Sequence, residues 1–371
     1  MIPVCEPFLG GKESEYVADC LSTNWISSKG KYIAEFELGF AHYCGCEFGI
    51  STTSGTTALH LALAAAEIGE CDEVIIPTFT MAATVFAVMY ARAKPVLVDS
   101  DPDTWNIDVK KLEERITPRT KAILPVHIYG HPCDMDPILD VAGRHGLFVI
   151  EDAAEAHGAE YKGRKAGGIG DVGCFSFYGN KIITCGEGGM MVTDNEKIAD
   201  RARALKDLAF SREKRFVHTD VGFNYRMTNI QAAIGLAQFE RIGDLVARRR
   251  YNAGLYSSLL NDIQGVRLPP EKPWAKNVYW MYSVMIEDEF GVDRDELMNG
   301  LADRGVETRA FFVPMHQQPV FTSSGLFQGE SYPVADDLAR KGLYLPSGSG
   351  LTEEQIKYVC AAVREIGDGR N

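Results

Sequence analysis

Residues 147–158 read LFVIEDAAEAHG, and residues 174–181 read CFSFYGNK. The first opens as a continuous apolar run and closes on the carboxylates Glu151 and Asp152, the pattern of a strand buried on both faces. Ligands of open α/β sheets gather just outside such carboxyl ends. The second run predicts another strand, leaving through the turn Gly179-Asn180 to Lys181. Working outward, similar runs recur at Glu73–Pro77, Pro95–Asp99, Lys121–His127 and Gly189–Asp194, with helical patterns at Ser54–Ala66 and Pro137–His145. Apolar runs alternating with helices predict a mostly parallel sheet covered on both faces.

From about Asn195 the pattern turns helical. Thr228 with Gln231 forms a capping box that predicts one long helix through TNIQAAIGLAQFERIGDLVARRR. Trp280–Ile286 reads as a strand. Asp293 with Glu296 opens a helix ending near Gly305, and Thr352 with Gln355 opens the last helix, ending near Gly367. The expected division is a large domain over 1–245 and a small α+β domain over 246–371, with segment 1–30 packing near the small one.

The 371 residues carry 38 Lys and Arg against 51 Asp and Glu, a net charge of −13. That balance argues against non-specific nucleic-acid binding and requires local cations for any anionic substrate. The start MIPVCEPFLGGKES lacks a basic stretch followed by an apolar run, and no run of about 18 apolar residues occurs. A cytoplasmic chain with no membrane segment is expected. Nine cysteines without a CxxC pair predict free thiols. Cys44 and Cys46 lack clustered partner ligands and read as structural rather than as a metal site.

Several motifs carry chemistry only in combination. GIGDVG at 168–173 satisfies GxGxxG but follows a polar turn and leads into a strand, whereas a dinucleotide fingerprint follows a strand and opens a helix. His127 and His131 lie in a strand exit broken by Gly130 and Pro132, with no glutamate placed as in a zinc-protease helix, so no metal is read there. Ser54-Gly55-Thr56-Thr57 opens a helix in the manner of an anion cradle. With Asp152 about a hundred residues on and Lys181 about thirty further, it meets the needs of pyridoxal phosphate: a phosphate seat, a carboxylate for the pyridine nitrogen, and an amine for the Schiff base.

The chain resembles the sugar aminotransferases of the DegT/DnrJ/EryC1/StrS family over nearly its whole length. The resemblance rests on WISS-x-G at 25–30, SGTTALHLAL, EDAAEAHG at 151–158, SF-x-x-x-K at 176–181, GEGG at 186–189 and GFNYRM at 222–227. It implies an aspartate-aminotransferase-like fold with a seven-stranded, mostly parallel sheet, a pyridoxal phosphate cofactor passing through its amino form, and a homodimer with shared sites. By that resemblance Lys181 carries the cofactor, Asp152 meets the pyridine nitrogen, and Gly55, Thr56 and Ser176 hold the phosphate with Asn224 of the partner subunit. Glu155 stands where many relatives have Gln, near the phenolic oxygen. Met81 replaces the usual aromatic stacked on the ring, and a thioether can fill that role.

The implied reaction moves an amino group from glutamate to a nucleotide-linked 4-keto-6-deoxy sugar. Trp25, Ser27, Arg309 and His316 are the expected sugar-nucleotide contacts, with the run Ser211–Arg215 as a further cationic candidate. A dehydratase on the same scaffold would replace Lys181 by histidine, and a regulator without turnover would not need Asp152, Ser176 and Lys181 together.

Overall fold

The computed structural model describes residues 1–211, 213–214 and 216–369. Seven strands form the main sheet: β1 (Phe48–Thr52), β2 (Glu73–Pro77), β3 (Lys94–Val98), β4 (Thr120–Ile123), β5 (Phe148–Asp152), β6 (Val172–Ser176) and β7 (Gly189–Thr193), in the order β1-β7-β6-β5-β4-β2-β3. Only β7 runs antiparallel to its neighbours β1 and β6. The expected mostly parallel sheet is the one observed.

Strand alternation sorts the side chains into two cores. Val74, Ile76, Leu97, Ala122 and Ile150 join the larger cluster under helices α2 (Lys31–Cys44) and α3 (Gly55–Ala65). Their neighbours Ile75, Val98, Ile123 and Val149 face Ile138 and Val141 of α5 (Met135–His145) on the other side. Helix α4 (Ala82–Tyr90) lies between α3 and α5 in sequence and leads away from the end of β2.

Strand β1 has no counterpart in the sequence reading, because FGIST offers one large aliphatic residue. Its place depends on contact instead: a Cβ on Gly49 would meet the Glu37 carbonyl oxygen at 2.3 Å. Ser51 donates from both its amide and its hydroxyl to Glu37 Oε1, each at 2.7 Å.

The predicted long helix is two. Thr228 caps α7 (Asn229–Phe239) with the expected box, and α8 (Ile242–Leu260) restarts after Glu240-Arg241. Helix α1 (Glu13–Ser22) packs on α7, and its Tyr16 hydroxyl donates to Glu240 at 2.6 Å, holding the break. Helix α8 then crosses between cores: Leu245 and Val246 belong to the large cluster, Tyr256 and Leu260 to the small one. The expected boundary at 245/246 therefore falls inside a continuous helix.

The smaller sheet joins β8 (Val266–Arg267), β9 (Tyr282–Ile286), β10 (Arg309–Ala310) and β11 (Gly342–Leu345) in the order β8-β9-β11-β10. Leu297 of α9 (Arg294–Asp303) and Ile356, Val359 and Val363 of the last helix, Glu353–Asp368, cover it. Both helices open with the predicted capping boxes. Of the first thirty residues, only the beginning lies on this sheet, where Ile2 bridges Val306 and the Val4 amide donates to Glu307 at 3.0 Å.

The glycine-rich run at 167–170 is a turn that closes on a buried carboxylate. The amides of Gly167, Ile169 and Gly170 donate to Glu151 at 2.7–2.8 Å, and His127 Nε2 lies 2.9 Å from it. The Cys133 amide donates to His127 Nδ1 at 3.0 Å, so the proton of the neutral ring sits on Nε2 and donates to Glu151. Removing the carboxylate orphans four donors in a site with no solvent exposure. Glu151→Ala should lose about 3–5 kcal/mol of stability, read as a lowered urea midpoint; a midpoint unchanged from wild type would refute this account.

Candidate active site

A cavity of about 330 Å³ opens at the carboxyl ends of β2, β5 and β6, between the two cores. Its wall brings together Ser54, Gly55, Thr56, Met81, Asp152, Glu155, Ser176 and Lys181, with Trp280, Phe312 and Tyr344 from the C-terminal half.

At one end, Ser54 caps α3. Its hydroxyl accepts from the Thr57 amide at 3.2 Å while its own amide donates to the Thr57 hydroxyl at 3.0 Å. The Ala58 amide donates to the Ser54 carbonyl. This box leaves the amides of Gly55 and Thr56 as first-turn donors beside the cavity, where the helix dipole favours an anion. A Cβ on Gly55 would come within 2.8 Å of Ser176 Cβ, so glycine is what lets strand and helix close around that space. The cradle fits a phosphate.

At the other end, Asp152 is 5% exposed. Thr84 of α4 donates to its Oδ2 at 2.8 Å and the Ala154 amide to its Oδ1 at 3.2 Å. Among the described residues it makes no ion pair, and burial pushes its carboxyl above the usual range against the pull of those two donors. A buried carboxylate with donors but no cation is suited to a protonated pyridine nitrogen. The residues present therefore fit pyridoxal phosphate at both ends.

Glu155, 4% exposed, accepts from the Tyr129 amide at 2.7 Å. Tyr129 holds φ at +53°, a left-handed conformation that costs a non-glycine residue about 1–2 kcal/mol. Burial lifts the Glu155 carboxyl well above the ordinary range, opposed by the charge of Lys181 and by the Tyr129 amide. Burial likewise lowers the Lys181 amine, opposed by Glu155 and Asp152. Met81 caps α4, is half exposed, and accepts from the Ala83 amide through its sulfur at 3.1 Å.

The expected sugar contacts are not brought to this cavity by a single chain. Both ring nitrogens of His316 are engaged, one with the Thr78 hydroxyl at 2.8 Å and one with Asp336 at 2.9 Å, so the side chain ties the 315–317 turn to the end of β2. Arg309 is exposed and paired with Glu307. Trp25 borders a separate hollow with Asp19 and Lys31, and the Ser27 carbonyl accepts from the Asn229 amide at 2.7 Å. Asn224 is exposed and outside the lining of its own chain's cavity. Arg212 and Arg215 lie outside the described residues. Sequence reasoning missed Thr84, Trp280 and Tyr344. The i, i+4 spacing of Thr80, just before α4, and Thr84, within it, is the signal that could have found the first.

A lysine, a caged carboxylate and a phosphate-type helix start at the carboxyl edge of this sheet define the class of pyridoxal-phosphate-dependent enzymes. A sequence model of the DegT/DnrJ/EryC1/StrS aminotransferase family matches residues 7–364. The GDP-perosamine synthase of Caulobacter vibrioides is 48% identical over 98% of this chain and 98% of its own length. That of Escherichia coli O157:H7 is 45% identical with the same coverage of both chains, 98%. The PMP form of Spr1654 from Streptococcus pneumoniae superposes with a TM-score of 0.93 at 26% identity, over 99% of this chain and 98% of that one; its PLP form matches equally, with a TM-score of 0.93. The chain belongs to the DegT/DnrJ/EryC1/StrS aminotransferase family. It is an aminotransferase, and its cofactor is pyridoxal phosphate. Among the described residues no cluster suited to a metal ion occurs, and no helix is long and apolar enough to cross a membrane.

The raised Glu155 carboxyl gives a pH prediction. The folded chain keeps a proton that the unfolded chain releases near the ordinary carboxyl range, so this group destabilises the fold as pH rises through that window. In protein stripped of cofactor, the melting temperature of Glu155→Gln relative to wild type should climb between about pH 4 and neutrality. A difference independent of pH would show that folding leaves the Glu155 carboxyl unshifted.

Proposed function

We propose that the protein transfers an amino group from glutamate to C4 of GDP-4-keto-6-deoxy-D-mannose, giving GDP-perosamine. The observation that carries this reading is the identity of 40–48% over nearly the full chain to three GDP-perosamine synthases, together with a cavity whose residues fit the cofactor.

In this reading Gly55, Thr56 and Ser176 would hold the phosphate, Asp152 would pair with the pyridine nitrogen, and Glu155 and Met81 would serve the phenolic oxygen and the ring. When bound, pyridoxal phosphate supplies the electron sink and the carbon that carries nitrogen between donor and acceptor. The protein's own contribution is positional and protolytic. Lys181 Nζ takes the proton from the donor's α-carbon in the first half-reaction and returns one to the sugar carbon in the second. Its amine suits both directions because burial disfavours the charged form. Asp152 remains anionic opposite a positive ring, and the Thr84 hydroxyl and Ala154 amide fix its two oxygens. The walls of Trp280, Phe312 and Tyr344 exclude water from the transfer.

Asn224 joins the reading as a contribution from a second chain, because it is exposed and absent from the lining of its own chain's cavity. Two subunits would then share each site.

The deciding experiment is purified protein with glutamate against GDP-, UDP- and dTDP-linked ketosugars. Turnover of the GDP-linked 4-ketosugar with formation of 2-oxoglutarate is expected, and preference for a UDP or dTDP substrate would redirect the assignment. Lys181→Ala should abolish turnover. Asp152→Asn should lower it by at least about a hundredfold while the cofactor stays bound, since a buried charge matched to the ring is replaced by a dipole. Mixing inactive Lys181→Ala with inactive Asn224→Ala should restore activity at roughly a quarter of the sites if subunits exchange. Two separate dead proteins after exchange would place Asn224 and Lys181 in the same chain's site.

A further inference from the structure

Lys181 points at a residue that the reaction as described uses only as a wall of the cavity. Its Nζ sits 3.5 Å from the ring centroid of Trp280, well inside the range in which an ammonium is drawn to an indole face. The same indole donates from Nε1 to the Asn180 carbonyl at 2.9 Å. One side chain thus holds both the amine of Lys181 and the backbone just before it. Trp280 is 3% exposed and is itself held: buried Arg249 of α8 donates from Nη1 to the Trp280 carbonyl at 2.6 Å and from Nε to the Ser349 hydroxyl at 3.0 Å. The tryptophan reaches the lysine from the far side of the cavity, just ahead of β9.

We propose that Trp280 is a positioning residue that seats the free amine of Lys181, holding it in the cavity while nitrogen resides on the cofactor. The proposal rests on the assignment of Lys181 as the proton carrier for its use, though not for its test. A lysine released into an open cavity explores many rotamers, and ordering such a side chain costs up to about 2 kcal/mol. An aromatic seat keeps Nζ within the cavity without the tight hold of a carboxylate, so the amine stays available to move a proton. The groups facing Lys181 are Asp152 at the end of β5, Glu155 just after it, Cys5 of the amino-terminal segment and Arg249 of α8, with His157 nearby and neutral. The two carboxylates and Cys5 favour the charged amine; Arg249 opposes it.

The test reads Lys181 itself rather than turnover. In the full chain stripped of cofactor, the acetylation rate of Lys181 by acetic anhydride is followed by mass spectrometry across pH. Loss of the π face should disfavour the ammonium, so the midpoint in Trp280→Leu should fall by about 0.5–1 pH unit. Trp280→Phe, which keeps a π face and loses only the N–H, should stay near wild type. No shift in the leucine variant, an upward shift, or equal shifts in both variants would overturn the seat. If the leucine variant does not fold, indole emission decides. Four tryptophans are present, so emission is taken as wild type minus Trp280→Phe. That difference should titrate with pH in the wild-type background and be flat in Lys181→Ala; a titration surviving loss of the lysine overturns the proposal. Should Lys181→Ala prove active, the catalytic assignment fails while the midpoint result stands by itself.

Discussion

Glu151 and Asp152 are consecutive on β5, and strand geometry sends their side chains to opposite faces of the sheet. Both are buried, yet the fold treats them differently. Glu151 receives three amides and a histidine and is held below the usual carboxyl range by them, despite complete burial. Asp152 receives one hydroxyl and one amide, and burial prevails. The fold needs the first carboxylate to fasten the 167–170 turn beneath β6. It leaves the second short of an ion-pair partner among the described residues, on the wall of the cavity. Everything else in the site is arranged around that shortfall: α4 brings Thr84 to orient it, α3 places an anion seat at the opposite end, and the turn after β6 delivers the lysine between them.

This arrangement explains why the sheet and the cofactor residues were legible in sequence while the rest of the cavity was not. Strands buried on both faces announce themselves as unbroken apolar runs, as EVIIP and LFVIED do. Carboxyl ends of such strands are ligand sites by topology, so Asp152 and Lys181 could be singled out from local pattern. Strand β1 gave no such sign, since its place depends on Gly49 fitting against Glu37 and not on aliphatic content. The capping box at Thr228 fixed where α7 begins; its end is set by a tertiary contact, Tyr16 with Glu240, that no window of sequence contains. Trp280 opens the run that reads as a strand, but the strand itself begins at Tyr282, and periodicity says nothing about which residues ahead of it cross to the other core. His316 is singled out by the resemblance of its segment to the family, and its neighbours in space cannot be read from that segment: in this chain both its ring nitrogens meet Thr78 and Asp336.

The two cores also account for how the cavity is built. Phe311, Met315, Phe321, Tyr332 and Leu338 follow β10 in sequence yet belong to the large cluster. The chain between β10 and β11 therefore returns to the main sheet after contributing to the small one. Together with α8, this makes the two parts share walls. Phe312, Tyr344 and Trp280 reach a lysine and carboxylates that belong to the first half of the chain.

Charge then shows what a single chain leaves undone. Among the described residues, the cavity wall holds the carboxyl groups of Asp152, Glu155 and Glu187 against one cation, Lys181, in a protein of net charge −13. The proposed nucleotide-linked sugar would bring a diphosphate, and the seat at α3 is the one proposed for the cofactor's phosphate. Arg309, the candidate cation on β10, is turned to Glu307 and lies outside the wall. Neither electrostatic focusing nor hydrogen bonding within this wall can hold a second dianionic group against that field. Asn224 in the 222–227 loop and the segment around Trp25 and Ser27 are exposed and lie outside the lining of their own chain's cavity. Such surfaces, placed at the mouth of a neighbouring copy's cavity, would supply the donors that each chain lacks, which is the physical argument behind the proposed pair of subunits with shared sites.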